Sequence, residues 1–525
     1  MHFQNKLLTA VSSHCAAFIL LVLLPGPALA QIPASPVTGE PCRFLLDPLT
    51  FDAPEPYEAF LGCPTAPGGD SAAGAPPAAG GQATGEDAKP KAEAPRIPSN
   101  PNASSGLSSS GNLQKSVGLP LDAPLQVGGA ATFVANRLTS GGLKTYTNTA
   151  ERVFGFNAAL DMERLFPFAS IPGGELYASM IQYEGGRGPA YYTGDLLVYD
   201  SVFSDMGKRK HLLELYEVWW RQRLFDDRLI VKVGKIMAAG EFGTVLAPAP
   251  QDASRMGWAI SNLLFVPIGY NPPLGGHLPA YTNTAWGAVV TVQPTPNLYG
   301  KYGFFDGNGI RYATGPRLGP DLNENIFEIG EAGAFWDLGG KGGHAAAGIW
   351  GQTGILATGM PDVINGGVIK EHGARGLYAL ANQRLWYLND VDPRGLVGWS
   401  NFGYSPSQTS FAQHYLGGGL TALGLIPLRP IDTISFGVAW ARLNQGSIAG
   451  ITMYGPVVPP SGWQSSPFDR GTHLNSTERM YQLAYRFNFV PGIAFDAGYT
   501  AIPNPGARPN IPWANVFSLR MYLVF

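Results

Sequence analysis

Charged and aromatic side chains recur at two-residue spacing in this sequence. Glu217, Trp219, Arg221 and Arg223 take the odd positions of one stretch, with Tyr216, Val218 and Trp220 between them. A carboxylate, an indole and guanidinium groups on one face can hold a neutral polyol. The ring takes apolar C–H surface, and the charged groups hydrogen-bond hydroxyls. By the same parity Lys232, Lys301, Arg486 and Arg520 are expected to point inward, facing Asp161, Glu163 and Asp496 from other strands. Opposed rows of Arg and carboxylate also have a structural reading, in which they set the field and rigidity of a wall without touching a solute.

Other chemistry finds little support. His211, His277, His344, His372, His414 and His473 are scattered over strand ends and loops, with no HExxH or GxSxG motif and nothing that pairs a nucleophile with a base. Gly417, Gly419 and Ala422 form a GxGxxA string, but it lies within a strand with no helix after it and so is not a dinucleotide site. No enzyme activity and no cofactor are expected. Of three cysteines, Cys15 falls in a leader, and Cys42 and Cys63 remain as a pair. A disulfide between them is favoured over two free thiols. A metal site is not expected, because two cysteines without a nearby histidine fall short of four ligands.

The elements that position these residues follow from composition. Only 14% of 525 residues are charged, with 68 Gly, 45 Pro and 11% aromatics, against about 25% charged in soluble domains. The net charge of −3 leaves no basic footprint for nucleic acid. Lys6, the apolar run Ala16 to Leu24 and Ala28-Leu29-Ala30 read as a signal peptide over residues 1–30. Residues 31–63 form a short segment around the two cysteines. Residues 64–120, rich in Ala, Gly, Pro and Ser, are expected to be a disordered linker. No later run is apolar enough for a membrane-spanning helix, so any crossing is made by strands.

Residues 121–525 carry period-two alternation, clearest at Tyr481, Leu483, Tyr485, Phe487 and Phe489 and at Phe517, Leu519, Met521, Leu523 and Phe525. About sixteen strands are expected, at 125–138, 152–164, 173–185, 212–223, 228–236, 284–294, 297–305, 325–338, 343–353, 374–388, 394–404, 414–425, 432–443, 478–489, 492–501 and 515–525. Their connections alternate tight turns with gaps of tens of residues. That pattern, with an even strand count, predicts an all-β, antiparallel transmembrane β-barrel with an aqueous lumen. The longest gap, Met237 to Asn283, is expected to fold inward and narrow the pore, bringing Glu241, Phe242, Asp252, Arg255 and Trp258 within reach of it. A Lys or Arg facing lipid at mid-bilayer costs roughly 2–4 kcal/mol. Glu217, Trp219, Arg221, Lys232, Lys301, Arg486, Asp496 and Arg520 are therefore assigned to the lumen as candidate solute contacts. The even face of the strand at 212–223, Tyr216, Val218 and Trp220, is assigned to lipid, with Trp220, Trp386, Tyr485 and Tyr522 in interfacial girdles and Glu214, of the same lipid-side parity, at the external rim.

Leu212 to Phe242 (LLELYEVWWRQRLFDDRLIVKVGKIMAAGEF) resembles the signature of the OprB-type carbohydrate-selective porins: an acidic-aromatic strand, an LFD turn and a V-G-K strand. Asn297 to Phe305, Gly376 to Trp386, Gly398 to Gly403 and the last strand extend the likeness over about Leu121 to Phe525. One departure stands out. After Gly234-Lys235 the family pattern calls for a polar or acidic residue, and this sequence reads Ile236-Met237-Ala238-Ala239. The resemblance implies an outer-membrane porin of a Gram-negative bacterium that passes small sugars such as glucose by diffusion. A general porin without sugar preference is the alternative, and a barrel enzyme or adhesin a more distant one. Implied partners are outer-membrane lipid and the barrel-assembly machinery, the latter through Phe525. Trimers are common among sixteen-stranded porins, which makes a homotrimer one expectation.

Overall fold

The computed structural model describes residues 112–120, 123–165, 171–186, 188–197, 199, 211–243, 271–275, 277–279, 284–295, 297–307, 322, 325–361, 368–389, 392–410, 412–429, 432–444, 476–490 and 492–525. The expected signal peptide, the Cys42 and Cys63 pair, most of the linker, and Asp252, Arg255 and Trp258 lie outside the described residues.

Alternating apolar and polar residues form strands whose two faces meet different solvents. The strands are β1 (Leu125–Ser140), β2 (Asn148–Asp161), β3 (Gly174–Gly185), β4 (His211–Leu224), β5 (Leu229–Ile236), β6 (Ala285–Thr295), β7 (Leu298–Asp306) and β8 (Ile326–Asp337). They continue as β9 (Gly342–Pro361), β10 (Val368–Asn389), β11 (Asp392–Tyr404), β12 (Ala412–Leu423), β13 (Thr433–Leu443), β14 (Thr477–Val490), β15 (Ile493–Ile502) and β16 (Ala514–Val524). Each pairs antiparallel with its sequence neighbours, and β1 pairs with β16 to close the barrel. Closure removes both sheet edges, as it must when lipid offers no hydrogen bonds to free backbone groups. Among the described residues no helix is long and apolar enough to cross a membrane.

The seam shows how local sequence supports closure. Gly129 and Phe525 exchange two backbone hydrogen bonds of 2.9 Å, and the Phe525 ring lies 5.7 Å from Phe156. A Cβ on Gly129 would meet the Phe525 ring at 2.4 Å, so only glycine leaves room for the terminal aromatic. At the other end of the hairpin repertoire, Phe225, Asp226 and Asp227 all take left-handed φ values between 54° and 65° to turn β4 into β5.

The face assignment follows the alternation. On β13, Thr433, Ser435, Ala439 and Ala441 are buried toward the lumen while Ile434 and Phe436 are exposed. Ile349, Leu483 and Phe517 likewise present more than half their surface outward. Large apolar side chains in such a band suit lipid contact.

Two boundaries differ from the expectation. β9 and β10 are 20 and 22 residues long, about twice the 9–11 needed to cross a bilayer. Their outer ends (ILATGMP and VIKEHG) do not alternate apolar with polar residues, so pattern alone stops short of them. Within the supposed linker, Asn112–Ser116 forms a short helix, α1, which packs on β1. The other α-helices among the described residues are single turns: α2 (Met162–Leu165), α3 (Ala190–Thr193), α4 (Ala238–Glu241) and α5 (Pro272–Gly275).

Candidate functional site

The site begins with an irregularity in β4. Ser179 of β3 stands opposite Glu217, but the next residue, Met180, stands opposite Leu215, so Tyr216 is an extra residue in the ladder. Such a bulge reverses the parity of the strand. Below it Glu217, Trp219 and Arg221 face inward as expected. Above it Leu213 faces out, and Tyr216 turns in to pack with Val153, Ile181, Tyr183 and Met237. Tyr216 therefore corrects the expectation of a lipid-facing ring. The lipid-side parity of Glu214 is corrected too: it stands opposite the inward Ile181 and pairs at 3.3 Å with Lys235. The Lys235 ammonium also donates to the Leu215 and Tyr216 carbonyls at the bulge. The intervening Gly234 has φ 146°, and a Cβ there would lie 2.2 Å from the Val218 carbonyl oxygen. The V-G-K strand is thus a backbone requirement as well as a pattern.

Below the bulge, five of the predicted residues gather. Trp219 stacks on Tyr177 of β3 at 4.7 Å, with the Lys232 ammonium of β5 4.1 Å from its ring centroid and the Arg221 guanidinium at 5.6 Å. Arg221 is ion-paired with Glu175. Flanked by Tyr177 and Lys232, the Trp219 ring offers no free face and is 1% exposed. Its part is to buttress the cluster.

The cluster is where the chain after β5 turns into the lumen. Met237 N–H donates to Glu217 Oε1 at 3.0 Å, and α4 then carries Glu241 to Lys232, 2.6 Å away. Lys301 of β7 donates to the Glu241 carbonyl at 2.8 Å. Burial alone would raise the Glu241 carboxyl. The ammonium groups of Lys232 and Lys301 outweigh it and hold this group below the ordinary glutamate range. No acid follows directly on Gly234-Lys235; Glu241 is the first acidic residue further along the same segment. Beyond it, Gly243 N–H donates to Glu331 of β8, whose carboxylate also accepts the hydroxyls of Tyr299 and Tyr378.

The returning limb is anchored on the far wall. Asn271 donates to Asn401 and to the Phe402 carbonyl, and the His277 ring stacks on Trp350 at 4.9 Å. Its Nδ1 lies 2.6 Å from Gln352 and its Nε2 3.2 Å from Ser410 Oγ. The fold thus does pair a histidine with a hydroxyl, contrary to the expectation from spacing. Ser410 and His277 are buried, however, and Ser410 Oγ donates to Ser405 and lies 3.5 Å from the Pro273 carbonyl. The contact acts as a loop anchor. Ala239 N–H donates to the Pro279 carbonyl, joining the two limbs.

The remaining predicted residues form a separate group. Arg486 on β14 grips Asp496 on β15 with two hydrogen bonds of 2.6 and 2.7 Å, and Arg520 on β16 stands opposite Asp496. Tyr522 shares the parity of Arg520, takes a hydrogen bond from it and lies under Arg486 at 4.9 Å. It faces the lumen, so its girdle assignment is corrected. Trp386 is exposed on the outer face as expected. Asp161 and Glu163 do not face the lysines: Asp161 pairs with Arg164, and Glu163 lies in α2 and accepts the Gly173 N–H. The loop over this sector docks nearer the outer end, where Glu478 accepts the N–H groups of Leu196, Leu197 and Gly506. Sequence reasoning missed Glu175, Tyr177 and Glu331. Parity on β3 and β8 points all three inward, but only the folded loop shows what they meet.

A family model described as carbohydrate-selective porin, OprB family, matches residues 107–525. The chain belongs to the OprB family of carbohydrate-selective porins. The match starts before the likeness read from motifs and takes in α1. The high-pH structure of OprB from Pseudomonas putida aligns with a TM-score of 0.63 at 20% identity, covering 79% of this chain and 97% of that one. Its low-pH structure gives 0.47 at 17% identity, covering 79% and 96%. A triple mutant of a porin from Rhodopseudomonas blastica gives 0.38 at 11% identity, covering 76% and 100%. No curated protein sequence matches this chain. As an OprB porin, the chain is a sugar-selective barrel of the outer membrane. The segment that carries the OprB signature, Leu212 to Phe242, is the one that builds β4, its turn, β5 and α4, and hence the cluster.

Proposed function

We propose that this porin passes small neutral sugars such as glucose into the periplasm down their gradient, as a channel with no catalytic step, cofactor or energy source. The observation that carries the reading is the clamp of Glu241 between Lys232 and Lys301, which fixes the inward segment beside a row of charged groups. Lys301, half-buried, and Arg221, which keeps 10% of its side chain exposed, hydrogen-bond sugar hydroxyls in transit. Trp219, Lys232 and Glu217 position them. Binding of this kind is attractive enough to admit a sugar and weak enough to release it. Arg486, Asp496 and Arg520 serve the wall.

Phe525, paired to β1, supports recognition by the barrel-assembly machinery, and a homotrimer in outer-membrane lipid is the proposed assembly. The signal peptide over 1–30, the Cys42 and Cys63 bridge and a linker up to α1 complete the proposed organisation. Liposome swelling tests the selectivity: glucose should enter faster than amino acids of similar size. Rates that follow size alone would make this a general porin. A barrel without single-channel conductance in planar bilayers would point to an enzyme or adhesin.

A further inference from the structure

The outer wall carries charge as well as the lumen. On β12 and β13 the outward positions nearest the long-loop end are His414 and Arg442, and on β14 Arg479 is the second such position, after Thr477. His414 stands directly opposite Arg442, and Arg479 directly opposite Trp440, which places the two guanidinium groups on a diagonal of the same face. Such diagonal neighbours are spaced by about 7–8 Å, a separation one phosphate group can bridge. Both arginines are exposed, and neither has a carboxylate partner among the described residues. No acidic side chain faces outward on these three strands: Glu478, the one acid they contain, is buried toward the lumen. Arg152 provides the contrast, since the outward face of β2 and β3 neutralises it with Glu184.

Height in the membrane gives these charges a meaning. Arg442 lies nine residues after Thr433 and Arg479 eleven before Val490, so each stands one bilayer crossing from the short-turn end. Directly below them the outward face is apolar, with Leu416, Leu420, Phe436 and Leu483 exposed. Tyr404, whose ring lies 4.8 Å from His414, extends the rim to β11. A basic rim above an apolar wall matches a lipid with a phosphorylated headgroup and acyl chains.

We propose that the outward face of β12 to β14 binds a phosphorylated lipid of the outer leaflet, its phosphate held between Arg442 and Arg479 and its acyl chains along Leu416, Phe436 and Leu483. The test is native mass spectrometry of the full-length barrel in detergent, titrated with diphosphoryl lipid A or with phosphatidylcholine. The wild type should retain lipid A at least tenfold better than phosphatidylcholine. The double variant Arg442→Gln, Arg479→Gln should lose that preference while its folded, heat-modifiable band and its glucose block stay unchanged. Arg137→Gln, outward on β1, should keep it. Equal retention of the two lipids by the wild type overturns the proposal without recourse to any variant. Unchanged retention in the double variant, or equal loss in Arg137→Gln, overturns it as well.

Discussion

Two sectors of the barrel wall place arginine, carboxylate and an aromatic ring on the lumen side, and they use them differently. On β14 to β16, Arg486 and Asp496 satisfy each other through two parallel hydrogen bonds between adjacent strands, beside Arg520 and Tyr522. On β3 to β7, the charges reach beyond the wall: Lys232 and Lys301 hold Glu241, and Glu217 holds Met237, all from the inward segment. Facing the lumen is therefore not enough to make a site. Under the proposed function, a wall charge serves selectivity when its partner belongs to the segment that enters the lumen.

The comparison can be broken most sharply at its structural side. Asp496→Ala leaves the buried Arg486 guanidinium without its partner, a change worth about 3–5 kcal/mol. The heat-modifiability midpoint should fall markedly while the glucose concentration giving half-block of conductance stays within twofold. Loss of sugar block in that variant would erase the distinction. On the other side, Glu241→Gln keeps the shape of the side chain and removes its charge. The inward segment loosens, open-channel conductance rises and half-block by glucose shifts about tenfold, or about 1.4 kcal/mol. Trp219→Leu removes the stack on Tyr177, worth about 0.5–1.5 kcal/mol, so half-block should weaken by about twofold to twelvefold with little loss of folded protein.

The smallest effect expected is that of pH. The Glu241 carboxyl is held below its ordinary value, so its ion pair stabilises the folded segment above that value. The stabilisation is lost only as pH falls through the lowered folded value. Since ordinary glutamate titrates near about 4.3, the contribution of Glu241 to conductance, read as the difference between wild type and Glu241→Gln, should change by less than about twofold between pH 7 and pH 5. A steep change in that window that Glu241→Gln abolishes would show that Glu241 titrates there and does not hold the segment as an anion.

Alternation was enough to read the wall, because a strand between lipid and water has no other stable pattern. Glu217, Trp219, Arg221, Lys232 and Lys301 were legible as inward for that reason, and Arg486, Asp496 and Arg520 equally so. What alternation cannot show is a change of parity inside a strand. The extra residue at Tyr216 has no signature of its own, and it misplaced both Tyr216 and Glu214. Nor can it assign partners across space. Glu241 reaches Lys232 through the short turn of α4, and His277 reaches Ser410 across more than a hundred residues. The family signature did better than pattern here, because Leu212 to Phe242 spans the strand, the turn and the inward segment as one unit.

The central claim is that the β4 to β7 cluster, and not the charged wall of β14 to β16, gives this porin its preference for sugars. It is tested most directly by titrating glucose against single-channel conductance for the wild type, Lys301→Met and Arg486→Met side by side. The account predicts saturable block in the wild type, a half-block concentration raised several-fold in Lys301→Met, and one within twofold of wild type in Arg486→Met. Equal shifts in the two variants, or a wild-type conductance that glucose does not reduce, would contradict it.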